Sequence, residues 1–309
     1  MKTNHISRRQ MLQLSAMSGG AFLLPFTNFD FMSNQNKNII KRKIPSSGEV
    51  LPAVGMGTWQ TFDAGNNQSE RESLKQVLKT FVDMGGAVID SSPMYGSSEE
   101  VVGDLATELN VLDKLFMATK VWTSGRDAGI RQMNTSMKEM RSNPIDLMQV
   151  HNLVDFQTHI KTLREWKGEG KIRYIGATHY VDSAHGDLER LIKTEKLDFI
   201  QINYSLQSRN VEKSLLPLAQ DKGVAVIINQ PFESGSLFSK VRGKSLPDWA
   251  KDYDIVSWGQ YFLKFIISHP AVTCVIPATS KVKHMEDNMG ALYGRLPDAK
   301  LRQKMMEVL

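Results

Sequence analysis

Val224-Ala-Val-Ile-Ile-Asn-Gln230 is an apolar, mostly β-branched run that meets no polar residue until its C-terminal end. Alternating polarity describes a strand with one wet face, whereas a continuous run describes a strand covered on both faces. Seven further segments read the same way: Ala53–Thr58, Ala87–Asp90, Leu115–Lys120, Asp146–His151, Ile172–Thr178, Phe199–Tyr204 and Thr273–Thr279. Helical periodicities lie between them. The clearest is Leu74, Val77, Leu78, Phe81 and Val82, with capping side chains at Asn67 to Ser69 before it and Gly85-Gly86 after it. A second is Trp258, Tyr261, Phe262, Phe265 and Ile266, halted by Pro270.

Eight repeats of strand then helix predict an α/β protein with a parallel sheet, and the number eight favours a closed (β/α)8 TIM barrel. Ahead of the first strand, Ile44 to Leu51 reads as a β-hairpin that plugs the bottom of the barrel. The longest stretch without a strand, Pro231 to Val272, leaves the seventh strand at the face where active sites sit. Its Gly/Ser-rich loop is a candidate lid. One domain therefore spans residues 41–309, preceded by a leader and tether at 1–40.

The chain has 309 residues, 38 Lys and Arg against 33 Asp and Glu, and a formal charge of +5. That balance gives no electrostatic reason to expect nucleic acid as a partner. The single cysteine, Cys274, excludes an intrachain disulfide framework and any multi-thiolate metal site. No apolar run approaches the ~20 residues needed to cross a bilayer. Residues 1–40 open with Lys2, Arg8 and Arg9, continue through a short, mildly apolar stretch, and end in an Asn- and Ser-rich segment. This is the layout of an export signal, and Ser7-Arg8-Arg9-Gln10-Met11-Leu12 resembles a twin-arginine signal, whose pathway carries folded proteins. A basic tail without a targeting role is the plainer alternative. No clean small-residue cleavage site follows, so removal and retention as an N-terminal anchor both stay open. The expectation is export to the periplasm by the twin-arginine machinery, with a cytoplasmic location as the alternative.

In a parallel barrel, polar residues at the C-terminal strand ends face the site. Asp90 ends the second predicted strand with Tyr95 just beyond it, Lys120 ends the third and His151 the fourth. Each has an ordinary structural reading on its own: a turn cap, a packed phenol, a snorkelling lysine, a satisfied imidazole. A carboxylate, a phenol, an ammonium and an imidazole on three consecutive strand ends make a joint structural reading hard to sustain.

These residues sit in a series of motifs: Gly55-Met56-Gly57-Thr58-Trp59, Gly86-Ala-Val-Ile-Asp90-Ser-Ser-Pro-Met-Tyr95-Gly96, Thr119-Lys120-Val121-Trp122, Asp146-Leu-Met-Gln-Val-His151, Gly170-Lys-Ile-Arg-Tyr-Ile-Gly176 and Gln201-Ile-Asn-Tyr-Ser205. The series, in order from about residue 43 to 290, resembles the aldo-keto reductase family. The resemblance implies reduction of an aldehyde or ketone by hydride transfer from NADPH, or alternatively NADH, with Asp90, Tyr95, Lys120 and His151 as the catalytic tetrad. A free phenol, with a pKa of about 10, is a sluggish acid–base group near neutrality. Lys120 is expected to lower the Tyr95 pKa, Asp90 to hold Lys120, and His151 to direct the carbonyl oxygen. Trp59 and Trp122 wall the substrate site or pack at its rim.

The resemblance also assigns cofactor contacts to Thr58, Thr178, His179, Gln201, Asn229, Phe232, Thr279, Ser280, Lys281 and Asn288. Three places depart from the family pattern. Thr178-His179 stands where the family has Ser-Asn, and Asn229 stands where an aromatic usually stacks on nicotinamide. Ala278 and His284 fall where basic residues usually meet the 2′-phosphate, with Lys281 as a substitute. No Gly-x-Gly-x-x-Gly loop follows a strand, which argues against a Rossmann site. A nucleotide-binding redox sensor, or a structural subunit of an envelope complex with little turnover, is the alternative function. A barrel lyase or isomerase ranks last, because no metal- or phosphate-ligand cluster is visible.

Overall fold

A computed structural model of the protein describes residues 38–309. Of the leader and tether expected at 1–40, residues 1–37 lie outside the described residues. The described chain begins with an antiparallel hairpin, β1 (Lys41–Lys43) and β2 (Val50–Pro52). The parallel strands are β3 (Met56–Gly57), β4 (Val88–Asp90), β5 (Phe116–Val121), β6 (Ile145–His151), β7 (Ile172–Thr178), β8 (Phe199–Asn203), β9 (Ala225–Asn229) and β10 (Cys274–Val275). They form one eight-stranded sheet in chain order. Parallel bridges Val54–Val275 and Gly57–Ala278 link its first and last strands, giving the nearly closed barrel that the alternation predicts.

The α-helices are α1 (Gln68–Asp83), α2 (Ser98–Glu108), α3 (Arg126–Glu139), α4 (Phe156–Gly168), α5 (His185–Thr194), α6 (Leu215–Asp221), α7 (Ser236–Lys240), α8 (Trp258–Ile267), α9 (Val282–Gly290) and α10 (Ala299–Met306). The Asn67 side chain caps α1 by accepting the Glu70 N–H, and the helix buries Leu74, Val77, Leu78 and Phe81, the predicted stripe, with Val82 only half-buried. Ser257 caps α8 by accepting the Gln260 N–H. The predicted lid region is well built: Pro231 to Val272 contains two 3-10 turns, Glu233–Gly235 and Asp248–Tyr253, as well as α7 and α8.

The hairpin does plug the barrel, with one change. Residues 44–51 are chiefly the turn and its flanks, and the paired strands lie to either side of it. Ile44 and Leu51 enter a buried cluster with Val88, Phe116, Leu147, Tyr174, Phe199 and Cys274. Most of these lie in the lower part of their strands, so the cluster fills the end opposite the strand tips. Tyr174 donates to Glu49 at 2.6 Å and approaches Ser47 at 2.8 Å, while Arg173 pairs with Glu49 and Asp146. The first and last strands are shorter than their apolar runs. Pro277 has no N–H to add to a ladder, so β10 stops early, although its carbonyl accepts the Gly57 N–H at 3.2 Å.

Candidate active site

The parallel strands bring their C-terminal ends to one rim. Asp90 is the last residue of β4, Lys120 the penultimate residue of β5 and His151 the last of β6. Tyr95 arrives from the turn after β4. Gly96 follows it at φ +61°, where an added Cβ would collide with the Asp63 carboxylate, so this turn requires glycine. Asp63 in turn accepts the Ser97 N–H and hydroxyl, both at 2.8 Å, which fixes the loop that carries Tyr95.

Lys120 is sealed in. Its ammonium donates to Asp90 Oδ2 at 2.6 Å and to the Ser91 carbonyl at 2.6 Å, and it lies 5.0 Å from the centroid of the Tyr95 ring. The other Asp90 oxygen accepts from Gln149 at 3.2 Å. Burial pulls the Lys120 pKa down, but Asp90 and Tyr95 together outweigh it and hold the group above the ordinary lysine range. Lys120 is therefore cationic.

Tyr95 departs from expectation. Burial raises its pKa, and the opposing pull of Lys120 does not overcome that, so the group lies above the usual phenol value rather than below it. Desolvation is the larger effect because the phenolate would be held in an almost dry wall. The resting group is thus a protonated phenol, the form needed to donate.

His151 is pushed down to about 3, chiefly by burial and then by Lys120 and His179, so its imidazole is neutral. The Ser92 oxygen accepts the Met94 N–H at 3.4 Å and lies 3.1 Å from His151 Nδ1. The direction of that bond follows the tautomer: with Ser92 as donor to Nδ1, the remaining proton sits on Nε2. The Tyr95 and His151 rings meet edge to face at 6.0 Å, and Trp122 lies 6.4 Å from His151.

All four residues line a cavity of about 950 Å³. It extends to the segment after β10, and its wall includes Thr58, Thr178, Gln201, Asn229, Phe232, Thr279 and Asn288 from the predicted cofactor set. Trp59 and Trp122 stand at the mouth, 47% and 41% exposed, as cavity wall and rim at once. His179, Ser280 and Lys281 are not on that wall. His179 Nδ1 accepts the Tyr180 N–H at 3.0 Å, which folds the ring back onto its own loop. Ser280 and Lys281 are exposed at the start of α9. Wall residues that the sequence reading did not assign include Met94, Tyr180, Phe238 and Asp287. Tyr180 and Met94 lie two and four residues past a strand end, and that position is the signal that was available for them.

The aldo/keto reductase family model matches residues 53–304. The chain belongs to the aldo/keto reductase family. The similarity to methylglyoxal reductase YeaE of Escherichia coli (strain K12) is 28% identity over 269 residues, covering 84% of this chain and 93% of that protein. An NADH-specific methylglyoxal reductase of the same organism is 30% identical over 257 residues, covering 73% and 78%. Among solved structures, an aldo/keto reductase from Klebsiella pneumoniae in complex with NADP and acetate superposes with a TM-score of 0.68 at 25% identity, covering 84% of this chain and 92% of that one. The four residues that the resemblance names as a tetrad gather at one cavity by the C-terminal strand ends. Among the described residues, no group of three or more His, Cys, Asp or Glu is placed to hold a metal ion, and no helix is long and apolar enough to cross a membrane.

Proposed function

We propose that the protein is an NAD(P)H-dependent reductase that converts an aldehyde or ketone to an alcohol, with Tyr95 as the general acid. One observation carries the reading: a buried ammonium, Lys120, is held by Asp90 beside Tyr95, 5.0 Å from its ring centroid, at the wall of a cavity that continues to Thr279 and Asn288.

The wall fits a nicotinamide dinucleotide. Thr178 and Gln201 supply short polar groups near the tetrad, and Thr279 and Asn288 supply them at the far end. The Asn229 Oδ1 is a buried acceptor without a hydrogen-bond partner, which is a reason for a ligand donor to bind there. The bound dihydronicotinamide supplies the hydride. Tyr95 holds the proton that the substrate oxygen takes as negative charge develops there. The His151 Nε2–H directs that oxygen towards the phenol. Lys120 steadies the phenolate left behind, and Asp90 fixes Lys120 for that role.

NADPH is the first choice of cofactor and NADH the second. A sensor or structural role with little turnover is disfavoured by the complete tetrad. The test follows NADPH absorbance with a panel of carbonyl compounds, together with Tyr95→Phe. That variant is expected to lose turnover while still quenching NADPH fluorescence. Undiminished turnover in Tyr95→Phe would contradict the mechanism.

Export is part of the same proposal. The Arg8-Arg9 pair and the mildly apolar stretch after it support folded export by the twin-arginine machinery, with nucleotide loaded beforehand. Fractionation of cells expressing the wild-type chain or an Arg8→Lys/Arg9→Lys variant tests this. An equal cytoplasmic location for both removes the export idea.

A further inference from the structure

Trp122 leaves β5 two residues after Lys120, and its backbone is clasped from outside the barrel. Gln132, on α3, accepts the Trp122 N–H at 2.6 Å and donates its amide N–H to the Trp122 carbonyl at 3.2 Å. One residue on, the Thr123 carbonyl lies 2.6 Å from Nε2 of His159, on α4. A carbonyl only accepts, so this nitrogen carries the proton and donates it. His159 is fully buried. Gly129 of α3 leaves the notch that its ring fills, since an added Cβ there would come within 2.5 Å of Cε1. Two residues past Thr123, the Gly125 N–H donates to Asp155 Oδ2 at 2.7 Å.

Asp155 ends the turn that follows His151, and this turn has an unfavourable backbone. Asn152, Leu153 and Asp155 stand at φ +50°, +57° and +46°, in the left-handed region that residues with side chains seldom adopt. Such a backbone persists only where its surroundings fix it. Here the Val154 N–H closes the turn on the His151 carbonyl at 3.1 Å, and the Asp155 carboxylate takes the Gly125 N–H of the neighbouring loop. The loops after β5 and β6 are thus joined to each other and to α3 and α4. Trp122 and His151 stand on these two segments, their rings 6.4 Å apart at the cavity wall. Gln132, Asp155 and His159 do not line that cavity; they hold the backbone behind it.

We infer that Gln132 and His159 are positioning residues for the reduction. Through the backbone of Trp122 and Thr123 they fix the indole against the His151 imidazole, so the walls that orient the carbonyl are spaced before it arrives. The inference rests on the reductase reading above. It gives a role in the reaction to two polar side chains that touch neither substrate nor nucleotide. Without their bonds, Trp122 and Thr123 keep no side-chain hydrogen bond among the described residues. The indole, 41% exposed, is then free to shift, and the carbonyl loses a fixed direction towards Tyr95.

The test uses the full chain labelled with 5-fluorotryptophan, followed by fluorine NMR and by turnover of a carbonyl compound with NADPH. Trp122→Phe assigns the Trp122 line. Gln132→Leu, at a half-buried helix position, and His159→Phe each remove one clasp. Both are expected to broaden or split the Trp122 line while those of Trp166, Trp249 and Trp258 stay put. Both are also expected to lower kcat/KM for the carbonyl by about 10-fold. The NADPH dissociation constant, from fluorescence quenching, should stay within about two-fold of wild type. His159→Gln, whose amide N–H stands in for Nε2–H, is expected to restore the line and kcat/KM together. An unchanged line or an unchanged kcat/KM in folded Gln132→Leu overturns the inference, even where His159→Phe does not fold. A matched fall in kcat/KM and nucleotide affinity that His159→Gln does not rescue also overturns it, because it marks a general loss of structure. Absence of turnover by the wild-type chain on every carbonyl overturns the reductase reading instead, and the fluorine line alone then decides whether the two residues hold Trp122.

Discussion

Lys120 donates to Asp90 at 2.6 Å with both side chains nearly sealed from water, 1% and 4% exposed. A buried ion pair is poor evidence of stability, since two desolvation costs offset the attraction, but removing one partner strands the other charge. Asp90→Asn and Lys120→Met are therefore each expected to lose about 3–5 kcal/mol of unfolding free energy, measured by urea denaturation. The double variant should be more stable than Lys120→Met alone, because no lone charge remains. Additive losses would show that the pair does not act as a unit. Each single variant is also expected to lower kcat by at least about 100-fold, since the phenol loses its cationic neighbour or that neighbour its fixed position.

The imidazole of His151 is held neutral, its pKa pushed down to about 3 from 6.5. The unfolded chain binds a proton between those values that the folded chain refuses. This contribution to stability is present above about pH 6.5 and is lost as pH falls towards 3, by about 1.4 kcal/mol per pH unit. Nitrogen NMR of His151 is expected to show the Nε2–H tautomer unchanged from pH 8 to pH 5. A protonation midpoint near 6 would sink the assignment of His151 as a neutral hydrogen-bond donor.

The barrel, and the meeting of Asp90, Tyr95, Lys120 and His151 at one cavity, were legible because strand burial and strand-end position both follow from local sequence. Asp90, Lys120 and His151 end their runs, and a parallel sheet brings those ends together. The sign of the Tyr95 shift was not legible. It depends on a contest between burial and Lys120, and burial is set by loops whose shape no local pattern encodes. The same holds for His179, whose Nδ1 is taken by the N–H groups of its own loop. Tyr180 and Phe238 were missed for a related reason: only the closed ring of loops shows that they share one rim.

Ile44 is fully buried in the cluster at the bottom of the barrel, where the hairpin turn begins. Truncation there leaves a cavity between the plug and the strand starts, so Ile44→Ala is expected to cost about 2–5 kcal/mol in unfolding free energy. The strand tips lie at the other end of the barrel. kcat below the melting transition should accordingly remain within about two-fold of wild type. A large fall in kcat at full folding would mean that the plug positions the site as well as filling the barrel.

Glu99, on α2, sits 1% exposed between β5 and α3, accepting hydroxyl hydrogen bonds from Thr119 and, at 2.9 Å, Ser136. Its carboxyl is pushed up to about 7, chiefly by burial, with Glu139 adding repulsion and the two hydroxyls and Lys120 opposing. The unfolded chain releases this proton near the ordinary value of 4.5, whereas the folded chain keeps it until about 7. Stability linked to Glu99 is thus complete below pH 4.5 and falls as pH rises through 7, a difference that approaches about 3 kcal/mol. Glu99→Gln keeps the shape and one acceptor and removes the titration. Its melting temperature is expected to be close to wild type at pH 5 and clearly higher at pH 8. A gain of equal size at both pH values, or none at pH 8, would mean that Glu99 is not charged at a cost inside the fold.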